Sequence, residues 1–439
     1  MVHAENRVAV DWAPSERQLG ITARNTSLTV VLSEVQQATG WDILLENGLD
    51  RAVDMRIVRR DATDCLTVLL KGLRYELTLN TGSVPRLVIY RKTLEAADEP
   101  VPEAEPVPVK RSAELVIQIK SESEAQRLAR QFNADLAEFV KLIGAARFKF
   151  RNAEQAARAR GALGRTPGVG FVDDVYEYPQ PRAPTRVPTG VLPVRVKPTE
   201  TVGDGSLIIG LVDTAVQETA LDRPGFILES KSAVETKAPP AQGAPTHGTA
   251  MASIMLRGLS NKDLKVDESS VRILPVNVFN ENGTTTSLSV ASGIAMAIES
   301  GATIINLSLG GKHQSRVVKQ VLEEGNRRGI LFVGAAGNEP VTTPTYPAAH
   351  SEVMAITAKN LKGDLANYAN RGDFVDVAEI GMQPVRFRGA TYAVQGTSSA
   401  SAYIAGMAAA LMSQHGKSVI ETREMIIKNR PFVRTPAQD

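Results

Sequence analysis

A chain of 439 residues, 43% hydrophobic and 22% charged, exceeds the roughly 250–300 residues one core supports, and its composition excludes collagen-like, coiled-coil and wholly disordered proteins. Lys+Arg 50 against Asp+Glu 48 leave +2 with no dominant basic block, which speaks against nucleic acid as a partner and against a polybasic membrane patch. No run reaches the ~18 apolar residues of a membrane-spanning helix, and the lone Cys65 cannot form an internal disulfide or a cysteine-based metal site.

Residues Met1–Asn6 carry no charged-then-apolar leader. Leu28, Val31, Leu32 and Val35 then recur at helical spacing behind the caps Thr26 and Ser27, and Gly40 ends that helix. Asp61–Leu70 repeats the pattern up to Gly72, while Met55–Val58, Tyr75–Leu79 and Leu87–Tyr90 alternate like strands. Residues 1–94 therefore read as a small α+β unit. Four prolines between Glu95 and Pro108 mark 95–111 as an extended linker.

In residues 112–178, ELVIQIK predicts a strand, Glu122–Phe139 a helix with Ala125, Leu128, Ala129, Phe132 and Leu136 on one side, and ARFKFR a second strand. A further helix and strand complete a second α+β unit. Six prolines between Pro179 and Pro198 make 179–203 another linker.

From 204 to 439, apolar runs at Leu207–Val212, Val271–Val278, Thr303–Leu309, Ile330–Gly334 and Val353–Thr357 alternate with helical patterns at Met251–Arg257, Ser287–Glu299 and Arg316–Arg327. Apolar strands separated by helices predict an α/β fold with a parallel sheet covered on both faces, whose site opens at the strand carboxyl ends. Asp213 stands at one such end, His247 at a helix start in THGTAMASIM, Asn338 after a strand in FVGAAGNEP, and Ser398 at a helix start in QGTSSASAYIAG. Each alone also fits a structural role, as turn residue, cap or core histidine. Together, in the order Asp, His, Ser, they fit nucleophilic acyl transfer at a positive helix end.

The motifs GLVDTAV, THGTAMAS, INLSLGG, GAAGNE, TYPAAHSEVMAITA and GTSSASAYIAG resemble, in order, those of the subtilisin-like (subtilase) proteases over about Asp204–Gln414. The resemblance implies Ser398 as nucleophile, His247 as general base, Asp213 as its orienting carboxylate and Asn338 as oxyanion donor. It implies two peptide-binding edges, Leu307, Ser308, Leu309 and Gly310 on one side and Ala335, Ala336 and Gly337 on the other. Thr345 falls at the pocket floor, where a β-branched side chain implies a small or medium apolar residue preceding the cleaved bond.

Residues 112–178 look like the propeptide of these proteases, with Val172–Tyr178 as the tail in the cleft. About Val8–Arg91 resembles the secretin and TonB short N-terminal domain, which implies an envelope protein partner and an extracytoplasmic address. There are departures. Ser399 follows the nucleophile, Ala402 takes a usual proline position, Tyr403 replaces a frequent histidine, and Arg257–Ser270 lacks the usual calcium loop. Asp222 matches one calcium-ligating position, but one carboxylate makes no site. The expectation is a serine endopeptidase made as a self-inhibited zymogen, acting on peptide or protein substrates without metal or cofactor. The alternative is an inactive subtilase-fold scaffold or sensor that only binds peptides or a partner.

Overall fold

The computed structural model describes residues 8–15, 17–45, 51–71, 73–78, 85–90, 112–187, 194, 196–199, 206–235, 243–261, 264 and 266–432. The 95–111 linker, part of the 179–203 linker, Gly72 and Leu79 lie outside them.

The first sheet pairs β1 (Val8–Ala13), β2 (Gln18–Ser27) and, following α1 (Leu28–Thr39) and β3 (Asp42–Leu45), β4 (Ala52–Asp61), in the order β1-β2-β4. After α2 (Ala62–Leu69), strands β5 (Arg74–Thr78) and β6 (Arg86–Tyr90) join β3 in a second small sheet. Ser27 caps α1 by accepting from the Val30 N–H, and Gly40 closes it at φ 70°, a conformation only glycine takes cheaply. Leu28, Val31, Leu32 and Val35 are buried with Trp41 and Cys65 in one core. The strands β1 and β2 lie where no strand was expected, and Val8, Val10 and Trp12 of β1 pack on that core.

In the middle unit, β7 (Glu114–Ile119) is followed by α3 (Glu122–Gln131), so the helix expected over Glu122–Phe139 stops at Gln131. Asn133 turns left-handed at φ 50°, and Asp135–Val140 forms strand β8 instead. Leu136, assigned by helical spacing, packs from a strand instead, and Phe139 packs beside it. β9 (Ala145–Lys149), α4 (Ala153–Leu163) and β10 (Val169–Asp174) complete a four-stranded sheet ordered β10-β7-β9-β8.

Three short strands follow: β11 (Glu177–Pro179), β12 (Thr185–Val187) and β13 (Lys197–Pro198). The last part contains β14 (Ile208–Asp213), β15 (Lys231–Ser232), α5 (His247–Leu259), β16 (Glu268–Ser269), β17 (Arg272–Asn277) and β18 (Thr284–Thr286). It continues with α6 (Ser287–Glu299), β19 (Ile304–Leu307), α7 (Arg316–Arg327), β20 (Leu331–Ala335), β21 (Val353–Lys359) and β22 (Val377–Ile380). A hairpin of β23 (Met382–Phe387) and β24 (Ala390–Gln395) then leads into α8 (Thr397–His415) and α9 (Val419–Asn429). Seven strands form one parallel sheet in the order β15-β17-β14-β19-β20-β21-β22.

The central strands are buried along their length, as a sheet covered on both faces requires. One core joins α5 and α8 to the sheet. A second joins α6 and α7, and it also takes in Val116, Val140, Ile143, Ala145 and Tyr178 from the middle unit. The helices α5 and α8 meet through two glycines. A Cβ on Gly258 would lie 2.1 Å from the Tyr403 carbonyl oxygen, and one on Gly406 would lie 1.9 Å from that of Met255.

Gly406→Ala must therefore push α8 off α5, and overpacking of this kind costs about 1–3 kcal/mol. The variant is expected to melt several degrees lower; a thermal transition coinciding with wild type would contradict this packing.

Candidate active site

Three neighbouring parallel strands end at one rim. β14 ends in Asp213, β19 runs on into Ser308, and β20 runs on into Ala336, Gly337 and Asn338. Helices α5 and α8 begin at the rim with His247 and with Thr397-Ser398. Ligand sites of open parallel sheets form at such strand ends.

Asp213 is wholly buried, and its carboxylate oxygens lie 2.8 and 2.9 Å from His247 Nδ1. The Thr214 N–H donates to the same carboxylate at 2.6 Å. A buried carboxylate needs such partners, because desolvation without them costs several kcal/mol. With Nδ1 turned to Asp213, Nε2 is the imidazole atom left for chemistry. Local geometry fixes the ring: Thr246 caps α5 by accepting from the Thr249 N–H at 3.2 Å, and Gln217 Oε1 accepts from the Thr246 N–H at 2.9 Å. Gly248 is required there, since a Cβ would sit 2.1 Å from the Thr214 carbonyl oxygen.

Ser398 is buried at the start of α8, and its hydroxyl donates to the Ser308 carbonyl at 3.3 Å. Among the hydrogen bonds of the described residues, none joins it to His247. One side-chain rotation redirects a serine hydroxyl, and such bonds commonly tighten only with substrate present. The chain Ser401 Oγ to Asn306 Oδ1 (2.8 Å), Asn306 Nδ2 to Ser308 Oγ (2.8 Å) and Ser308 Oγ to the Ser398 carbonyl (3.1 Å) ties α8 to the end of β19.

Asn338 is oriented from the other side. Its Oδ1 accepts from the Thr397 N–H at 2.9 Å and from Thr397 Oγ1 at 3.2 Å, which leaves the Nδ2 amide as donor. The first turn of α8 adds backbone N–H groups without intrahelical partners. Negative charge is favoured at such a helix start.

Of the residues expected to bind substrate, Leu307 and Ala335 end β19 and β20, with Leu307 paired between Val212 and Gly334. Both are buried, Leu307 at 0% and Ala335 at 5% exposed, and each is the last residue of its strand before the rim. Ser308, Leu309 and Gly310 follow β19, and Ala336 and Gly337 follow β20. Thr345 lies between these stretches: its Cγ2 is 3.3 Å from where a Gly310 Cβ would sit, and its Oγ1 is 3.4 Å from that of Gly337. Sequence reading did not single out the edge Thr284–Thr286, on which β11 lies, or Asn370, which carries no motif beyond being polar; Thr397 stood inside the GTSSASAYIAG motif with no role of its own. Among the described residues, no three His, Cys, Asp or Glu side chains gather as metal ligands. Asp222 sits 3.7 Å from Arg386, and burial pushes its carboxyl up despite that partner.

Residues 204–431 match the Subtilase family. The chain belongs to that family, and with it to the subtilisin-like serine proteases. It is 34% identical over 229 residues to the thermophilic serine proteinase of Bacillus sp. (strain AK1), covering 52% of this chain and 57% of that protein. It is 33% identical over 221 residues to thermitase of Thermoactinomyces vulgaris, covering 50% of this chain and 78% of thermitase. The crystal structure of fervidolysin from Fervidobacterium pennivorans shares the fold at a TM-score of 0.56 and 20% identity, over 71% of this chain and 56% of that one. An overlap of that size reaches into the residues before 204.

In this subtilase the His350 ring lies 4.9 Å from that of Tyr346, the neighbour of Thr345. It is buried with Nε2 unpartnered, and burial pushes its pKa from 6.5 to about 4, against the raising effect of Glu352. The unfolded chain therefore takes up a proton that the fold refuses as pH falls from 6.5 towards 4, and stability drops over that window and levels off below it. Denaturant midpoints of wild type and His350→Phe between pH 7 and 4 check this. The wild type is expected to lose the larger part of its stability, and parallel curves would contradict it.

Proposed function

We propose that this subtilase is a serine endopeptidase using Ser398, His247, Asp213 and Asn338, and that residues 112–178 hold it as a self-inhibited zymogen. The observation that carries the reading is the buried Asp213–His247 pair, set at the same strand ends that seat Ser398. In the reaction, Ser398 Oγ attacks the scissile carbonyl and its proton passes to His247 Nε2. The carbonyl π electrons become the oxyanion, held by Asn338 Nδ2 and the Ser398 N–H. Collapse of the intermediate breaks the C–N bond, and His247 returns the proton to the leaving amine. Water then repeats the cycle on the acyl-serine and frees the acid. Asp213 keeps the imidazole in the Nε2-accepting form and offsets the charge it gains. Loss of one oxyanion donor costs about 10²–10³ in turnover.

The inhibitory assignment rests on how the middle unit meets the protease part. β11 pairs antiparallel with β18, Glu177 opposite Thr286, Tyr178 opposite Thr285 and Pro179 opposite Thr284, and the Gln180 N–H donates to the Gly283 carbonyl at 2.9 Å. An added strand on a free edge is how extended peptides are bound. Tyr178 is 2% exposed and its ring packs on Gly311, where a Cβ would meet it at 2.7 Å. Tyr176 stacks on His313 with ring centres 4.9 Å apart.

With Thr345 closing the pocket between the two edges, the preferred residue before the cleaved bond is small or medium and apolar. The N-terminal unit fits an envelope partner, and an extracytoplasmic address accords with the family; among the described residues no helix is long and apolar enough to cross a membrane. The rival reading, a peptide-binding scaffold without activity, draws on the Ser398 hydroxyl facing Ser308.

A fluorophosphonate, which needs an activated serine, decides between them. Wild type is expected to be labelled at Ser398 and Ser398→Ala to stay unlabelled, full length and folded; an unlabelled wild type with an emptied cleft would falsify the endopeptidase reading. Tyr178→Ala removes an aromatic side chain worth about 2–3 kcal/mol of burial. It is expected to speed labelling of the full-length chain on the order of 10-fold or more, and labelling no faster than wild type would remove Tyr178 as the inhibitory anchor.

A further inference from the structure

We propose that Asn370 is a positioning residue that ties the pocket floor to the oxyanion loop, so that selection of a small P1 side chain and turnover depend on one buried amide. The inference rests on the endopeptidase reading above. Asn370 lies between β21 and β22 and is 1% exposed. Its Nδ2 donates to the Ala336 carbonyl and to Thr345 Oγ1, both at 2.9 Å, and its Oδ1 accepts from the Glu339 N–H at 2.8 Å. Its backbone N–H donates to the Gly337 carbonyl at 3.0 Å, and its carbonyl accepts from Thr357 Oγ1 at 2.5 Å.

These bonds take hold of residues 336, 337 and 339, on both sides of Asn338. Both Nδ2 hydrogens are used, so the amide has one orientation: reversing it would face an oxygen to the Ala336 carbonyl and a donor to the Glu339 N–H. Gly337 is part of the same fit. It stands at φ 108°, and a Cβ there would be 2.4 Å from Asn370 Nδ2, so only glycine lets the amide lie against that peptide.

The bond to Thr345 reaches the substrate pocket. Holding Thr345 Oγ1 fixes the side chain with its methyl towards Gly310, where it closes the space between the two edges. A Thr345 freed from Asn370 has two other rotamers, and either changes the depth available to a P1 side chain. Asn370 never reaches the reacting atoms, and its effects pass through Asn338 and Thr345.

A purely structural residue would lower stability and slow all substrates alike. Positioning makes a different prediction, measured with two peptides that differ only in P1, Ala or Phe, on the full chain with active sites counted by fluorophosphonate. Asn370→Ala is expected to lower kcat on the Ala peptide by about 10–100-fold, with KM changing far less, because a misplacement near 1 Å costs about 10²-fold. The Ala-over-Phe ratio is expected to narrow by about 10-fold, the scale on which pocket contacts discriminate. Asn370→Ala that labels normally and keeps the wild-type ratio overturns the inference alone, whereas a wild type that neither labels nor cleaves overturns the endopeptidase reading with it. Should Asn370→Ala fail to fold, Thr345→Val tests the same link from the pocket side, since it keeps the shape and removes the accepting oxygen. A narrowed ratio supports the link, and an unchanged one overturns it.

Discussion

The first turn of a helix leaves amide groups that its own backbone cannot satisfy, and here that constraint organises the whole rim. The N-cap position of α8 is Gly396, which offers no side-chain oxygen. The missing acceptor comes from a neighbouring strand end, where Asn338 Oδ1 takes the Thr397 N–H. That single bond seats the helix on β20 and at the same time turns Nδ2 outward. Ser308 does the same from β19, accepting from Ser398 Oγ with its carbonyl and donating its own hydroxyl to the Ser398 carbonyl. The geometry at Ser398 is thus set by how α8 rests on two parallel strands, and the glycine contacts with α5 fix its distance from the helix that carries His247.

The same shortage of acceptors explains how the middle unit is held. The N-cap Ser315 of α7 makes no side-chain cap bond to its helix. Asp173, from the preceding unit, accepts from the Arg316 N–H at 2.7 Å and from Ser315 Oγ at 3.3 Å. Glu138 accepts from Ser292 on α6, and Gln320 of α7 donates to the Ile143 carbonyl at 3.0 Å. Burial pushes the Asp173 carboxyl above the ordinary carboxylate range, against those two hydrogen bonds. A raised acid pKa means that docking holds a proton more readily than release does, so this contribution is greatest at low pH and fades as pH rises through the shifted value.

Much of this was legible in the sequence, for reasons that differ by element. The protease strands are apolar throughout, so β14, β19 and β20 announced themselves, and the residues just beyond them are polar in a chain that is otherwise apolar there. Asp213 and Asn338 stood out for that reason, and His247 and Ser398 because each opens a helix inside a recognisable motif. What failed was local. The run to Phe139 keeps helical spacing across Asn133, and only the left-handed turn at that residue, invisible to periodicity, divides it into helix and strand. Asn370 was unreadable because its importance lies in bonds to residues 25 to 34 positions away, and nothing near it in the chain reports them.

The prolines after Tyr178 follow a logic of their own. β11 lies on β18, and β12 pairs with β24, the strand that feeds directly into Gly396 and Ser398. The five steps from Gln180 to Thr185 span at most about 17 Å, so the connection has little slack as it crosses between those strands. It carries Pro181 and Pro184, and Pro179 stands in the paired strand itself. Proline has fixed φ and no N–H, so such a segment loses little entropy on ordering, yet forms fewer main-chain bonds than a substrate with an amide at every position. Its hold must come from side chains instead, from Tyr178 in its buried site and Asp173 at the helix start. On the zymogen reading proposed above, a segment built that way would stay in place while attached, where its local concentration is high, and would yield to ordinary peptides once the connection is cut.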